Sequence, residues 1–538
     1  MSPDVLVVGA GPTGLALALA LVRAGVAVRV VDRRPGPAGE SRALDVQART
    51  LELYRTLGVA GRLVDAGVRV RQVRVQRGRR VLAVRDVSDA GSGLSPYPYI
   101  LCCPQDTHEE LLVEELRSTG LGVEFGTTCE DVRATGTGVT ARLRTVDGRC
   151  EQVAAAYLAG CDGARSTVRE LLGTPYRGTT SDRRYVVADV TATGAAAAPP
   201  AQGAFSFCLG RDDFLLVVPA RPDGTSRFVG LLPLGLGGPD AGPGEDVGFE
   251  DIRDLAEGTT GTRVDAVHWF STYGVTHRVA DHLRTGPVFL LGDAGHVHSP
   301  LGGQGMNTGV GDAVNLGWKL AAVLQGRAAP ALLDTYEQER LPVARALVAT
   351  TDRVFDLVTG SGRRARLARH LLFRGLLPAL LRTRAGRRAA GAGVGQIRLH
   401  YRAGPLSAGR AGRVRGGDRL PFVDLGGGQD THAPLASLDW QVHVHGDVQP
   451  GLAAAARDRG LAVHRWPWSP AARAVGLRRD AAYLVRPDGY VALADRAQDP
   501  VRLAAHLDRL GVRTRAAVDP HEPWTTSSST PTSPTACR

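Results

Sequence analysis

Lysine is almost absent from this 538-residue chain: Lys319 is the only one, so nearly all of the formal charge of +11 rests on arginine. Such a skew, beside 67 glycines and abundant alanine, is what a GC-rich genome gives. No RNA- or DNA-binding signature accompanies it, and charge alone speaks to non-specific attraction rather than to a nucleic-acid role. No run of about eighteen uncharged apolar residues occurs, so no membrane span is predicted. The first residues lack a basic stretch, and the apolar run from Asp4 is broken by glycines. It reads as a strand and turn, not a secretory signal. Cysteine is sparse. Cys102, Cys103, Cys129, Cys150, Cys161, Cys208 and Cys537 are odd in number and never spaced C-x-x-C, which fits neither a disulfide framework nor a zinc site. A reducing cytoplasm is the expected compartment.

What is present is the composition of a globular protein, 43% hydrophobic and 22% charged. The length predicts two or three domains. DVLVV from Asp4 to Val8 is a continuous apolar run of the kind buried in a parallel sheet. GAGPTG and an all-round apolar helix follow it. Gly25 closes that helix, and VAVRVVD ends a second strand at Asp32. VTARLRT and RCEQVAAAYLAG flank Asp147-Gly148, which predicts a two-residue hairpin turn. From Ser181 to His277 the pattern becomes short alternating segments, RYVVADV, GAFSFCL, DFLLVVP, SRFVGLLPL and AVHWFSTY, and reads as an antiparallel sheet. Arg363 to Arg388 is basic, helical and interrupted by Gly and Pro; it packs on the main domain in the simplest reading, with a membrane-surface role as the alternative. A boundary falls near Tyr401 to Gly417, and the tail TTSSSTPTSPTACR is low-complexity and expected to be disordered.

Two separated segments carry chemistry. In GAGPTG, Gly9 permits a tight turn, Gly11 lets the backbone approach a pyrophosphate and Gly14 packs helix on strand. Pro12 and Thr13 open the helix whose free N–H groups favour phosphate. Asp32, at the end of the second strand, is spaced to accept hydrogen bonds from a ribose, with Arg33 beside it. Far downstream, PVFLLGDAGHVHSPLGGQGMNTGVGDAVNLGWKLAAVLQG reads as a strand from Val288 to Leu291, a glycine-rich loop and a helix from about Thr308 to Gln325. Asp293 at the strand end is placed to bind a polyol. The glycines of GGQGMN let backbone N–H groups face a flat ring. The helix behind them would stabilise negative charge there.

Together with GCDGARSTVRELLG (Gly160 to Gly173), SRALDVQARTLELYRTLG and YEQERLP, these segments resemble the FAD-dependent aromatic hydroxylases. The bacterial aromatic-polyketide hydroxylases and rifampicin-type monooxygenases are the most similar subgroup. The resemblance covers about residues 1 to 500. It implies an α/β fold in which a Rossmann-like FAD-binding domain (1–178 and 278–400) carries an inserted antiparallel substrate domain (179–277). A thioredoxin-like domain (401–520) without C-x-x-C and a tail (521–538) follow. It also implies that Asp32 binds the adenosine ribose, that Arg42 and Gln105 contact the diphosphate and ribityl region, and that Asp293 holds the ribityl chain. Pro300 and Gly303 to Asn307, with Gly305 and Met306, would line the isoalloxazine. Asp162 and Arg165 would serve FAD and NAD(P)H, although a plain turn before a helix capped by Ser166 also explains them. Asp32 stands where glutamate is more usual, and Gly295 where alanine is. Only one G-x-G-x-x-G is present, so a second dinucleotide domain is not expected.

The implied reaction is reduction by NADPH or NADH, capture of O2 as a flavin C4a-hydroperoxide, and hydroxylation of a polycyclic phenol. Baeyer–Villiger insertion or epoxidation of a ketone or quinone, rifampicin-type antibiotic inactivation and a non-catalytic flavin-binding role are the alternatives. Phe205, Phe207, Phe214, Leu216, Val218, Phe228 and Trp269 are candidates for the pocket wall. Tyr273, His277, His296 and His298 are candidates for a base by location alone, so the catalytic residue is left open. A monomer or homodimer is expected.

Overall fold

The computed structural model describes residues 2–39, 43–194, 203–210, 214–232, 247–298, 303–359, 367 and 371–514. Arg42, Pro300 and the 521–538 tail lie outside them.

The first layer is a sheet in the order Arg284–Thr285, Val288–Leu290, Tyr157–Gly160, Val5–Val8, Val28–Asp32 and Val123–Phe125. Its inner strands run parallel, with Val5 opposite both Val28 and Tyr157. Their apolar runs are covered on both faces, which is why they do not alternate. Pro12–Arg23 follows the first strand. Proline at its start fixes φ for a helix without losing a needed N–H, and Leu15, Leu17, Leu19 and Leu21 are all completely buried. Each such leucine contributes about 2 kcal/mol by burial. That all-round burial arises because the helix is held between the sheet and the Gly305–Leu324 helix. The latter begins about three residues earlier than its sequence pattern suggests, so its N-terminus reaches the glycine loop itself.

A meander of Thr127–Thr135, Gly138–Thr145 and Cys150–Ala155 flanks this layer. Its second turn is not the two-residue hairpin expected at Asp147-Gly148. Thr145 N–H bonds to Arg149 O at 3.0 Å, leaving a three-residue loop with Gly148 at φ 83°. A left-handed third residue is what such loops require.

The second layer is an eight-stranded sheet in the order His296–Val297, Thr262–Ala280, Tyr176–Gly194, Ser226–Leu231, Phe214–Pro219, Ala204–Leu209, Gln72–Arg77 and Arg80–Asp86. It draws strands from outside 179–277: the Gln72–Asp86 hairpin joins through a parallel pairing of Gln72–Gln76 with Ala204–Cys208. Successive side chains alternate between faces. Val186, Ala188, Val217 and Phe228 meet Ile252 and Ala256 under the Arg253–Thr260 helix. Tyr185, Val187, Leu216 and Val229 point the other way and line a cavity.

The third unit is a six-stranded sheet in the order Val414–Arg415, Ala408–Ala411, Val491–Asp495, Ala482–Val485, Gln441–His445 and Ala462–Trp466. The helices Pro450–Asp458 and Pro500–Leu510 pack on it. Its core is continuous with the first domain through Trp318, whose ring meets Trp440 edge-on at 5.7 Å. Of the basic 363–388 stretch, Leu377–Arg382 and Arg384–Val394 are helices. Arg387 binds Asp89, and Leu377 packs toward the second sheet.

Candidate active site

One cavity of about 1870 Å³ runs from the GAGPTG turn, past the Gly303–Met306 turn, to the inner face of the eight-stranded sheet. At its first end, Gly9 has φ 105°, and a Cβ there would lie 2.4 Å from Cys161 O. A Cβ on Gly14 would lie 1.9 Å from Gly9 O, so neither position admits a side chain. Gly11 is different: its missing Cβ would face only Glu109 Oε1 at 4.0 Å, which leaves open space at the helix start. No side chain caps the Pro12–Arg23 helix and no acidic residue sits in its first turn. Its N–H groups and dipole are therefore available to a phosphate. The geometry fits the pyrophosphate of a dinucleotide.

Asp32 is nearly buried and accepts from Ala10 N–H at 2.6 Å and Arg34 N–H at 2.8 Å. The Arg34 guanidinium also reaches Asp32, Glu109 and Ala10 O, each within 3.2 Å. Glu109, with no exposure, accepts further from Ala38 N–H and from Gln105 Nε2, both at 2.8 Å. Gln105 Oε1 accepts from Ala43 N–H at 3.1 Å. Asp32, Gln105 and Arg33 thus all line the cavity, and Arg34 and Glu109 organise them. Sequence reasoning passed over both. The one signal was their charge, since Glu109 sits 77 residues from Asp32 in the chain.

Asp162 borders the cavity, but its carboxylate serves the next helix: Ser166 Oγ donates to Oδ1 at 2.5 Å and Val168 N–H to Oδ2 at 3.1 Å. Burial raises its pKa against those bonds. Arg165 is exposed at the same rim. Arg169, four residues on, was also missed. It is nearly buried, donates to Ala294 O and Ala164 O at 3.0 Å, and lies 3.9 Å over the Tyr176 ring. Tyr176 Oη in turn donates to Asp293 O at 3.0 Å, so the two cavity-edge loops are tied together.

Asp293 is exposed to the cavity and follows the Val288–Leu290 strand. Beyond it, Gly303 takes φ 60°, and Gly303, Gly305 and Met306 line the cavity at the uncapped start of the Gly305–Leu324 helix. Asn307 does not join them. Its side chain is buried, accepting from Gln47 N–H at 2.9 Å and donating to Asp45 O at 2.8 Å and Gly303 O at 2.6 Å. It stitches the glycine turn to the Asp45–Val46 strand rather than facing the ring site. Met306 Sδ lies 3.2 Å from His108 Nδ1, and burial pushes His108 down to about 4.

The four candidate bases separate. Tyr273 and His298 line the cavity, whereas His277 and His296 do not. His296 is buried with Nε2 2.7 Å from Asp312 Oδ2, and Asp312 also accepts from Arg340 Nε at 2.5 Å and Gly292 N–H at 3.0 Å. Burial opposes the charge on Asp312, but Arg340 and His296 outweigh it and hold the carboxyl below the usual range. His296 therefore braces the loop that presents Asp293. Of the expected wall residues, Phe205, Phe207, Leu216 and Val218 line the cavity. Phe228 lies in the core on the opposite face, and the Trp269 ring instead stands 5.5 Å from the Arg227 guanidinium. The Phe214 side chain lies outside the described residues. Tyr185 and Tyr273 stack at 5.9 Å with 14° between their planes.

Such a site can hold an extended dinucleotide along one arm and a flat apolar ring against the sheet. The family described as "FAD binding domain" matches residues 2–351. The chain is 36% identical to 6-methylpretetramide 4-monooxygenase of Streptomyces rimosus, over 94% of this chain and 93% of that one. It is 33% identical to the 12-dehydrotetracycline 5-monooxygenase/anhydrotetracycline 6-monooxygenase of Streptomyces rimosus subsp. rimosus, over 91% and 95%. Among solved structures, the flavin-dependent monooxygenase PieE in complex with FAD and substrate superposes with TM-score 0.76 at 26% identity, covering 95% of this chain and 99% of that one.

Proposed function

The chain belongs to the FAD binding domain family and is an FAD-dependent monooxygenase; from that premise we propose that it hydroxylates a polycyclic phenol of the aromatic-polyketide type, with NADPH or NADH as reductant. One observation carries the substrate reading: the dinucleotide arm and the apolar sheet face open into a single cavity, with the Gly303–Met306 turn between them. FAD, when bound, supplies the redox chemistry that joins the reductant to O2.

In this reading the protein's own residues bind, orient and exclude water. Gly9, Gly11, Pro12, Thr13 and Gly14 hold the pyrophosphate at the helix start. Asp32 and Arg33 flank the adenosine ribose, and Gln105 reaches the ribityl region with Asp293. Gly303, Gly305 and Met306 border the flat ring, with Asn307 fixing their turn. Arg42 and Pro300 join this set through the family resemblance, and Asp162 acts through the helix it caps. Phe205, Phe207, Leu216 and Val218 keep water from the reacting centre, which favours oxygen transfer over release of H2O2.

We divide the chain into an FAD-binding domain (1–178 and 278–400), a substrate domain (179–277) and a thioredoxin-like domain (401–520). Supporting the last is the parallel pairing of Gln441–His445 with Ala462–Trp466 beside two antiparallel strands and two covering helices. Residues 401–520 contain no cysteine, so this domain carries no thiol redox chemistry. Among the described residues no helix is long and apolar enough to cross a membrane. Among the described residues, Cys102, Cys103, Cys129, Cys161 and Cys208 are free and buried, and the cytoplasm is the compartment we propose.

The test is NADPH oxidation by the FAD-loaded protein across a panel of polycyclic phenols, with H2O2 assayed. Phenol-stimulated oxidation with little H2O2 is expected. Oxidation that no phenol stimulates overturns the substrate reading, and stimulation by rifampicin alone moves the assignment to antibiotic inactivation.

A further inference from the structure

Asp45 holds a place in the cavity that none of the roles above uses. It begins the short Asp45–Val46 strand, lines the cavity and is half-buried. On one side stands the glycine turn: a Cβ on Gly303 would lie 2.6 Å from Asp45 Oδ2. On another stands Arg227, whose guanidinium is already bound bidentately to Asp189 at 2.6 and 2.7 Å. Among the described residues, the carboxylate accepts only a weak bond, from Cys102 Sγ to Oδ1 at 3.9 Å. Oδ2 accepts none. A desolvated carboxylate with unused lone pairs is costly, and an O–H group entering the cavity would relieve that cost.

We propose that Asp45 touches the substrate and takes the proton of a ring hydroxyl. The substrate O–H bond breaks, the proton passes to Asp45 Oδ2, and the electron pair stays on the substrate oxygen as a phenolate. Nothing is oxidised or reduced in this step. The ionised oxygen enriches the ring carbons ortho and para to it, which are the ones an electrophilic oxygen attacks. The inference rests on the aromatic-hydroxylase reading of the cavity and names the group that ionises its substrate.

The surroundings suit a base at neutral pH. Burial raises the Asp45 carboxyl to about 6, against the pull of Arg227. The charged and titratable groups facing it are Arg227 from Ser226–Leu231, with Asp189 behind it, and Cys102 from Leu101–Cys102; the Gly303 turn brings none. At pH 7 the carboxylate is therefore mostly ionised, and below about 6 it holds its own proton.

The experiment uses FAD-loaded protein and a polycyclic phenol that stimulates NADPH oxidation. In Asp45→Asn, kcat should fall on the order of 100-fold, with loss of the acid limb. Should that variant fail to retain FAD, the unmodified protein suffices: its kcat must fall as pH drops through about 6. Equal kcat in both proteins, or a rate that persists unchanged at pH 5, overturns the inference alone. Failure of every phenol to stimulate NADPH oxidation overturns the substrate reading, and the inference falls with it.

Discussion

Lys319 Nζ lies 2.8 Å from Glu339 Oε2, with both side chains fully buried, and it is the only lysine in the chain. Glu339 also binds Arg486 at 2.5 and 2.9 Å, and Arg486 binds Asp488 at 2.6 Å. Asp488 O accepts from Arg49 Nη2 at 2.6 Å, and Arg49 meets Glu52 at 3.1 Å. This path runs from the helix behind the glycine turn, through the C-terminal domain, to the Ala48–Thr56 helix that continues from Asp45–Val46. Burial opposes the charge on Glu339, yet Arg486 and Lys319 overcome it and hold the carboxyl at about 2. Because that is below the unfolded value, its stabilisation is present above about pH 4.5 and is lost as pH falls toward about 2.

Glu339→Gln leaves two buried cations under-compensated. It is expected to lower unfolding free energy by about 3 kcal/mol at pH 7. Urea unfolding checks this, and a loss below about 1 kcal/mol would show that the network contributes little.

Acid should attack the C-terminal domain first. His432, His445 and His506 are buried there and held down to about 4 by desolvation, and burial drives His443 lower still. Depressed histidines are neutral in the fold, so their stabilisation is complete above about pH 6.5 and is lost as pH falls toward 4. The Trp466 ring, stacked on His445 at 5.3 Å, gives the readout. Its thermal transition should drop by several degrees between pH 7 and pH 5. An unchanged midpoint would contradict the assignment.

Two glycines, Gly14 buried beneath the cavity and Gly36 lining it, should behave oppositely. Gly14→Ala places a Cβ 1.9 Å from Gly9 O, which nothing flexible can relieve, and the purified variant should lack FAD absorbance. Gly36→Ala meets no atom within 4 Å and should retain it. Equal flavin content in the two variants would remove the GAGPTG turn from the binding site.

Asp312→Asn should weaken the brace beneath Asp293 without touching the cavity wall. The expected result is roughly tenfold weaker FAD retention and a larger H2O2 share per NADPH oxidised, since a loosened loop admits water. Unchanged retention would mean that His296, Asp312 and Arg340 stabilise the fold alone.

The parts of this site that could be read from sequence are those built by local chemistry. GAGPTG, the Val288–Leu290 strand and the helix after it carry their own turn residues and periodicity within a few positions. The alternating strands between Ser181 and His277 were legible for the same reason. What escaped is held by contacts across the chain. Arg34 meets Glu109 over 75 residues, and Arg227 reaches Ala43 O over 184. No local pattern marks Asp45 as a cavity residue, because its neighbours Gly303 and Arg227 arrive from distant segments. Asn307 shows the opposite error: a residue inside a correctly read motif whose side chain turns away to hold the loop. The Gln72–Asp86 hairpin joined the second sheet through a pairing that composition does not announce.

The most direct measurement is turnover of the FAD-loaded protein under ¹⁸O2 with NADPH and a polycyclic phenol that stimulates NADPH oxidation. One ¹⁸O atom is expected in the product as a new ring hydroxyl, with H2O2 well below the NADPH consumed. Label inserted as a ring-expanded ester would replace hydroxylation by ring insertion. An unlabelled product, or H2O2 equal to the NADPH consumed, would contradict the account.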